Sequence, residues 1–379
     1  MAVVYCALDP AMASGLPTAV APANANGQTE FNMNRREFVR TAAALPLVPA
    51  VRAAKLAPVA DGMRVGHRLS PSFDDADLAF FRNLGIEYAT IWTDSSLCNY
   101  EYFVSARRRL ERAGIRLLNI GNLDLHCDPD MVLGLAGRDH KIEQYKQYLR
   151  DLGRAGIHYT TYAHMANIKL GPYYATGRGT TRGVPTRLFD LEQARNLPLS
   201  HARIYHEAEI WDSFTHFIRA VIPVAEEAGV RIGLHPDDPP VPSLGGVARI
   251  FVSAAGYQRA IDLAASENFG LCLCVGSWAE GGNQLDRNVY EMVETFGPKG
   301  RIFKVHFRNV DAPLPRFQES IVDAGYIDMD KVARRLNKAG VNAVAIPDHV
   351  PGEGLIGNIT AYTIGYMRSA FRRAQSSAS

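Results

Sequence analysis

Four side chains of metal-binding type each stand where an apolar run stops. Val230 to Leu234 leads into His235-Pro236-Asp237-Asp238-Pro239-Pro240, and Leu271-Cys272-Leu273 ends in Cys274. Ile302-Phe303-Lys304-Val305 leads into His306-Phe307-Arg308, and Val341 to Ile346 leads into Pro347-Asp348-His349. Imidazole, thiolate and carboxylate all bind metals once deprotonated, and a mixed N, S and O set suits a borderline divalent ion better than hard Ca²⁺ or Mg²⁺. If the four runs are neighbouring strands, His235, Cys274, His306 and Asp348 converge on one point. Singly, Cys274 reads as a small buried hydrophobe, Asp348 as a cap and each histidine as a hydrogen-bonded rim residue. Jointly they read as a metal site.

The flanking residues extend that chemistry. Arg308 offers a two-pronged clamp for a substrate carboxylate. Asp237 and Asp238 read as orienters of His235 or as partners for substrate hydroxyls, the alternative being caps of the next helix. His164 joins the expected substrate contacts. His349 diverges from its neighbour on an extended chain, which suits a proton donor or acceptor; otherwise it is an outer partner of Asp348. His67, His126, His164, His235, His306 and His349 all fall at or near predicted strand exits.

Those exits imply a regular series of elements. Short β-rich runs, Met63–Arg68, Ile86–Trp92, Ile115–Ile120, Ile157–Ala163, Val230–His235, Phe269–Val275, Ile302–Phe307 and Val341–Asp348, alternate with segments of helical period. Leu84-Gly85, Ala113-Gly114, Ala155-Gly156, Ala228-Gly229 and Ala339-Gly340 read as helix stops. Eight strand–helix units predict an α/β fold, a (β/α)8 TIM barrel whose chemistry sits at the strand exits. The competing fold is an open doubly wound sheet, but no Gly-rich nucleotide loop follows the first strand. One long connection, Met165 to about Leu199, carries Gly177-Arg178-Gly179, Arg182, Arg187 and Arg195. It is either a cover over the site or a loose surface insertion.

Composition sets the outer bounds. The 379 residues are 47% hydrophobic and 21% charged, as expected of a folded domain with a sizeable core, and the net charge of +2 gives no footprint for nucleic acid. Five cysteines without a CxxC pair argue against a disulfide framework. No apolar run reaches the roughly 18 residues of a spanning helix. Homo-oligomer formation is left open.

Residues 1–53 are expected to be a non-structural leader, with the single catalytic barrel over 54–379. Asn34-Arg35-Arg36-Glu37-Phe38 followed by an apolar stretch to Val51 resembles a twin-arginine export signal. A basic amphipathic first helix is the plainer alternative, and Met33 offers a second start. The expected partner is then the twin-arginine export machinery, and the expected location periplasmic. A metal already on Cys274 would protect the thiolate from oxidation there.

Several motifs together carry a family resemblance. His235-Pro236-Asp237-Asp238-Pro239-Pro240, Cys274-Val275-Gly276-Ser277, His306-Phe307-Arg308-Asn309-Val310, Gly325-Tyr326-Ile327-Asp328-Met329, Pro347-Asp348-His349 and Tyr145-Lys146 through Ile157 resemble the mannonate dehydratase family. The likeness is strong over about 140–165 and 230–349. It implies a xylose-isomerase-like barrel holding Mn²⁺, or else Fe²⁺, Co²⁺ or Zn²⁺, on His235, Cys274, His306 and Asp348. It also implies a catalytic histidine at His349 and a catalytic tyrosine at Tyr362, the latter with a one-residue slip. The chain departs from the family at Val322, at Val350-Pro351 and in the loop Gly177 to Arg182. The implied reaction is that of a hydro-lyase, removing water from a D-mannonate-like sugar acid to give a 2-keto-3-deoxy acid. The alternatives are a metal-dependent sugar isomerase or epimerase, and an exported sugar-acid binding protein without turnover.

Overall fold

The computed structural model describes residues 61–352 and 354–376; the expected leader, with Arg35 and Arg36, lies outside the described residues. Eight strands form the central sheet: β1 (Arg64–Leu69), β2 (Tyr88–Thr93), β3 (Arg116–Asn122), β4 (Tyr159–Tyr162), β5 (Arg231–Leu234), β6 (Phe269–Cys274), β7 (Ile302–His306) and β8 (Val344–Ile346). Their hydrogen-bonded order is β3-β2-β1-β8-β7-β6-β5-β4, and each of these pairings is parallel. The first and last strands pair, Arg64 opposite Val344, while β3 lies against β4. Strands in chain order around a nearly closed ring make a (β/α)8 barrel and rule out the doubly wound sheet.

Each strand is followed by a helix: α1 (Asp75–Asn83), α2 (Tyr100–Arg112), α3 (Arg138–Arg154), α4 (Glu207–Glu227), α5 (Ala254–Ala264), α6 (Val289–Phe296), α7 (Met329–Lys338) and α8 (Asn358–Ser376). Local chemistry explains their ends. The side chains of Asp74, Asn99, Ser253, Asn288 and Asp328 accept backbone N–H groups at the starts of α1, α2, α5, α6 and α7. The five glycine stops all take positive φ, between 62° at Gly85 and 79° at Gly114. α8 is anticipated only by the strand–helix count, because a Pro- and Gly-broken lead-in obscures its buried stripe of Thr360, Thr363, Ile364, Met367 and Phe371. Inside the barrel Gly233 is fixed by close approach: a Cβ there would lie 2.3 Å from the Tyr159 hydroxyl.

The long connection is an ordered cover. Gly177–Thr181 and Val184–Asp190 form an antiparallel hairpin, turned by Arg182 and Gly183 at φ 50° and 80°. Positive φ at both central residues is the two-residue turn that matches strand twist. The second hairpin strand pairs with Arg316–Ser320, which pairs in turn with Asn309–Val310. Phe189 stacks on Phe317 at 5.5 Å, and Tyr173, Val241, Leu244 and Leu314 complete a small apolar core beneath this four-stranded sheet. Among the described residues no helix is long and apolar enough to cross a membrane.

Candidate active site

The last four barrel strands bring His235, Cys274, His306 and Asp348 together, with one candidate ligand atom from each lying within 4.8 Å of the others. That spread is within side-chain adjustment of one ion with bonds of roughly 2.0–2.3 Å. His235 Nδ1 donates to the Pro236 carbonyl at 2.8 Å, which leaves Nε2 as its ligand atom. The Cys274 sulfur caps a short helix, accepting the Ser277 backbone N–H at 3.5 Å. Both ring nitrogens of His306 are buried without a well-formed hydrogen bond; its nearest charge is Asp348, 3.4 Å from Nδ1.

The electrostatics favour a cation here. Burial opposes ionisation of Cys274, yet the Arg308 guanidinium and the two histidines hold its thiol well below the usual range. Asp348 is likewise held down against its burial, chiefly by His306 and then Arg308. Burial disfavours the charged form of His306, but Cys272 and Asp348 outweigh it and raise its pKa well above normal. Two groups inclined to be anionic thus face an imidazole inclined to hold a proton. A divalent ion would displace that proton and satisfy one of the two orphaned nitrogens. The donor set fits such an ion.

A cavity of about 590 Å³, including space open to solvent, adjoins the tetrad. Arg68, His126, Thr161, Asp238 and His349 give it polar edges, and Trp92, Leu123, Met165 and Ile168 an apolar wall. His349 has φ 44°, a left-handed conformation uncommon for a residue with a side chain. It is held by Glu319, whose Oε1 lies 2.6 Å from Nδ1, and by the Tyr174 hydroxyl at 2.8 Å from Nδ1 and 2.7 Å from Nε2. Burial, helped by the charge on Arg68, lowers the His349 pKa to about 3, and burial pushes Glu319 up to about 7.

Four residues expected to contact substrate are placed differently. Arg308 does not face the cavity as a free clamp: its guanidinium donates to Asp238, to Glu280 at 2.7 Å and to Ser277 at 3.2 Å. Gly276 makes this possible, since a Cβ there would lie 2.4 Å from Arg308 Cγ. Asp238 reaches the cavity edge, but its carboxylate is occupied by Arg308 and by Arg187 at 3.2 Å. Asp237 is buried away from the cavity lining and accepts the Phe251 N–H at 2.7 Å, with Arg249 3.8 Å away. His164 is buried among Phe214, Phe217 and Phe251, with Nδ1 2.8 Å from the Tyr162 hydroxyl. Nor does the structure bring Tyr362 to the cavity. It is 46% exposed on α8, its hydroxyl donating to Asp323 at 2.7 Å. An i, i+4 helical position sets where it points, and chain distance from Asp348 does not.

Other site residues carried little sequence signal. Arg187 comes from the hairpin and is nearly buried, pairing with Glu319 at 2.9 Å, Glu280 at 3.0 Å and Asp238 at 3.2 Å. The turn pair Arg182-Gly183 between β-rich residues was the available clue to that hairpin. Arg68 and Trp92 stand at or near the exits of β1 and β2, where the barrel rule alone points to function.

Comparison with known proteins places the chain in a family and supports its fold. The family model described as D-mannonate dehydratase (UxuA) matches residues 183–376. The chain is 31% identical over 275 residues to mannonate dehydratase 2 of Halalkalibacterium halodurans, covering 66% of this chain and 78% of that protein. The crystal structure of mannonate dehydratase from Streptococcus suis serotype 2 superposes with a TM-score of 0.72 at 26% identity, covering 83% of this chain and 96% of that one. An L-ribulose 3-epimerase, at 14% identity and TM-score 0.53 over 83% of this chain and 97% of that one, shares the fold alone. With its family match over half the chain and its metal-type tetrad on four successive strand ends, this chain belongs to the D-mannonate dehydratase (UxuA) family.

Proposed function

We propose that this chain is a metal-dependent hydro-lyase that removes water from a D-mannonate-like sugar acid, giving a 2-keto-3-deoxy acid. The observation that carries this is the convergence of His235, Cys274, His306 and Asp348 at one cavity with His349 beside them. These four residues would hold the ion, with Mn²⁺ the leading candidate and Fe²⁺, Co²⁺ and Zn²⁺ the others. When bound, the ion supplies a Lewis acid that tempers negative charge on the substrate carboxylate. Burial, helped by Arg68, depresses the His349 pKa, so the ring is uncharged at neutral pH, the form in which an imidazole can accept the α-proton. Glu319 fixes the direction of that ring. The apolar wall of Trp92, Leu123, Met165 and Ile168 excludes water from one side of the reacting carbons. Arg68 at the polar edge supplies positive charge for an acid substrate.

The donor set favours dehydration over isomerisation on the same barrel, since strands β5 and β6 supply His and Cys where sugar isomerases resemble carboxylate-rich sites. A screen of aldonic and uronic acids with Mn²⁺-loaded protein should yield a product that reacts as a 3-deoxy-2-keto acid. Interconversion of sugars without such a product would support the isomerase reading instead. For location, Arg35-Arg36 and the apolar stretch after them support export through the twin-arginine route. Fractionation that finds the protein wholly in the cytoplasm, with both arginines retained, would remove that part of the proposal.

A further inference from the structure

A dehydratase needs an acid for the departing hydroxyl as well as a base for the α-proton. Among the described residues lining the cavity, one is a phenol: Tyr174. It follows the single turn Gly171–Tyr173 at the start of the inserted connection, far in sequence from Asp348 and His349. Its hydroxyl meets the His349 ring edge at 2.7 and 2.8 Å, with the two ring planes at 84°. Its position is fixed from the other side by Arg187. That guanidinium lies 3.9 Å from the Tyr174 ring centroid and donates to the Tyr174 carbonyl at 2.8 Å. Arg187 also binds Glu319, the residue that holds His349. Tyrosine and histidine are therefore aligned by one cation and one carboxylate, all close-packed. Tyr362 has none of this, since its hydroxyl is committed to Asp323 on the rim.

We propose that Tyr174, supplied by the inserted segment, is the catalytic acid that protonates the leaving hydroxyl, acting in partnership with His349. This rests on the dehydratase reading above and adds the identity of its second proton carrier. The C2–H bond breaks with its proton passing to the His349 imidazole, and its electron pair stays on the C1–C2 unit. That pair then forms the C2=C3 bond as the C3–O bond breaks, the C–O pair leaving with oxygen, which takes the phenolic proton and departs as water. The enol so formed passes its hydroxyl proton to solvent and takes one at C3 to become the 2-keto-3-deoxy acid. The phenolate recovers a proton from the imidazolium across their direct contact. Both groups are reset, and the net change is the loss of one water. Phenols keep their proton at neutral pH, and a guanidinium over the ring stabilises the negative charge that develops as it leaves.

The test uses the full chain loaded with Mn²⁺, D-mannonate as substrate, and a 3-deoxy analogue that has an α-hydrogen but no hydroxyl to expel. Tyr174→Phe should lower kcat by about 100-fold or more. KM and bound metal should change little, and the analogue should still exchange its C2 hydrogen with solvent deuterium as fast as with the wild type. Tyr362→Phe should keep turnover near the wild-type value. Retention of kcat in Tyr174→Phe would overturn the proposal. So would a parallel loss of elimination and of analogue exchange, which would mark Tyr174 as a positioning residue. Loss of turnover in Tyr362→Phe with Tyr174→Phe active would return the role to α8. If the wild type dehydrates D-mannonate while Tyr174→Phe does so equally well, only the Tyr174 assignment falls. If the wild type dehydrates neither D-mannonate nor any acid of the wider panel, the dehydratase reading falls and takes this proposal with it.

Discussion

The strand-end tetrad and the inserted sheet both border His349, the tetrad through Asp348 and the sheet through Glu319, yet they are built in opposite ways. Each tetrad residue is at the end of its own barrel strand or just beyond it, so ring closure alone gathers them. The cover is made by pairing Val184–Asp190 with Arg316–Ser320, segments whose partners Phe189 and Phe317 are joined only through the fold. The tetrad brings two groups inclined to be anionic, Cys274 and Asp348, beside two imidazoles. The sheet's buried charges, Arg187 and Glu319, pair with each other, and Arg187 also pairs with Asp238 and Glu280 from the barrel's loops. The contrast teaches that the barrel gathers the proposed metal ligands, while the inserted sheet supplies Glu319 and Arg187, which hold His349 in place.

Two substitutions should separate these roles. The largest effect is expected from His306→Ala, which removes one of the four proposed ligands. It should lose more than the roughly 10–100-fold in metal affinity that loss of an outer partner costs. Turnover should fall to background while the cover stays paired. Metal analysis after dialysis checks this, and one equivalent of metal retained with full activity would break the contrast.

Arg187→Ala should do the reverse. Removing one partner from a buried ion cluster costs about 3–5 kcal/mol, and Glu280, Asp238 and Glu319 would be left under-compensated. Thermal unfolding should move to lower temperature and kcat should drop as His349 loosens, with metal stoichiometry preserved. A variant with wild-type Tm would show that the cover is not anchored through this residue.

A smaller effect sharpens where the two regions meet. Burial, reinforced by the charge of Asp238, pushes Glu280 up to about 8, and its second carboxyl oxygen has no partner. A carboxyl raised in the folded state contributes stability that is complete below its unfolded pKa of about 4.5 and is lost as pH rises through about 8. Denaturant unfolding of the wild type should therefore weaken between about pH 5 and pH 8.5. Glu280→Gln should weaken less, and equal slopes for the two proteins would remove Glu280 as the titrating group.

Much of the barrel was legible because its signals are local. Alternating apolar runs and left-handed glycines act within a few residues, so all eight strands, and the five helix stops before a Gly, fall close to where the sequence places them. The cover was not legible in the same way. Gly177-Arg178-Gly179 gives a strand little side-chain signal, and its stability comes from partners far away in sequence. Side-chain direction was the other gap. His164 and Tyr362 have the right residue types near the expected positions, but packing against Phe214 buries one and helix phase exposes the other.

The sequence by itself determined the barrel and which residues end its last four strands, because period-2 and period-3.6 patterning and cap chemistry are written in neighbouring residues. It therefore named His235, Cys274, His306 and Asp348 as one cluster. Only the tertiary structure decided that Arg308 and Asp238 bind each other, that Asp237 accepts the Phe251 N–H, and that Tyr174 meets His349. Those outcomes depend on which long-range partner reaches a charged or polar group first and desolvates it. No local pattern in the chain encodes that competition.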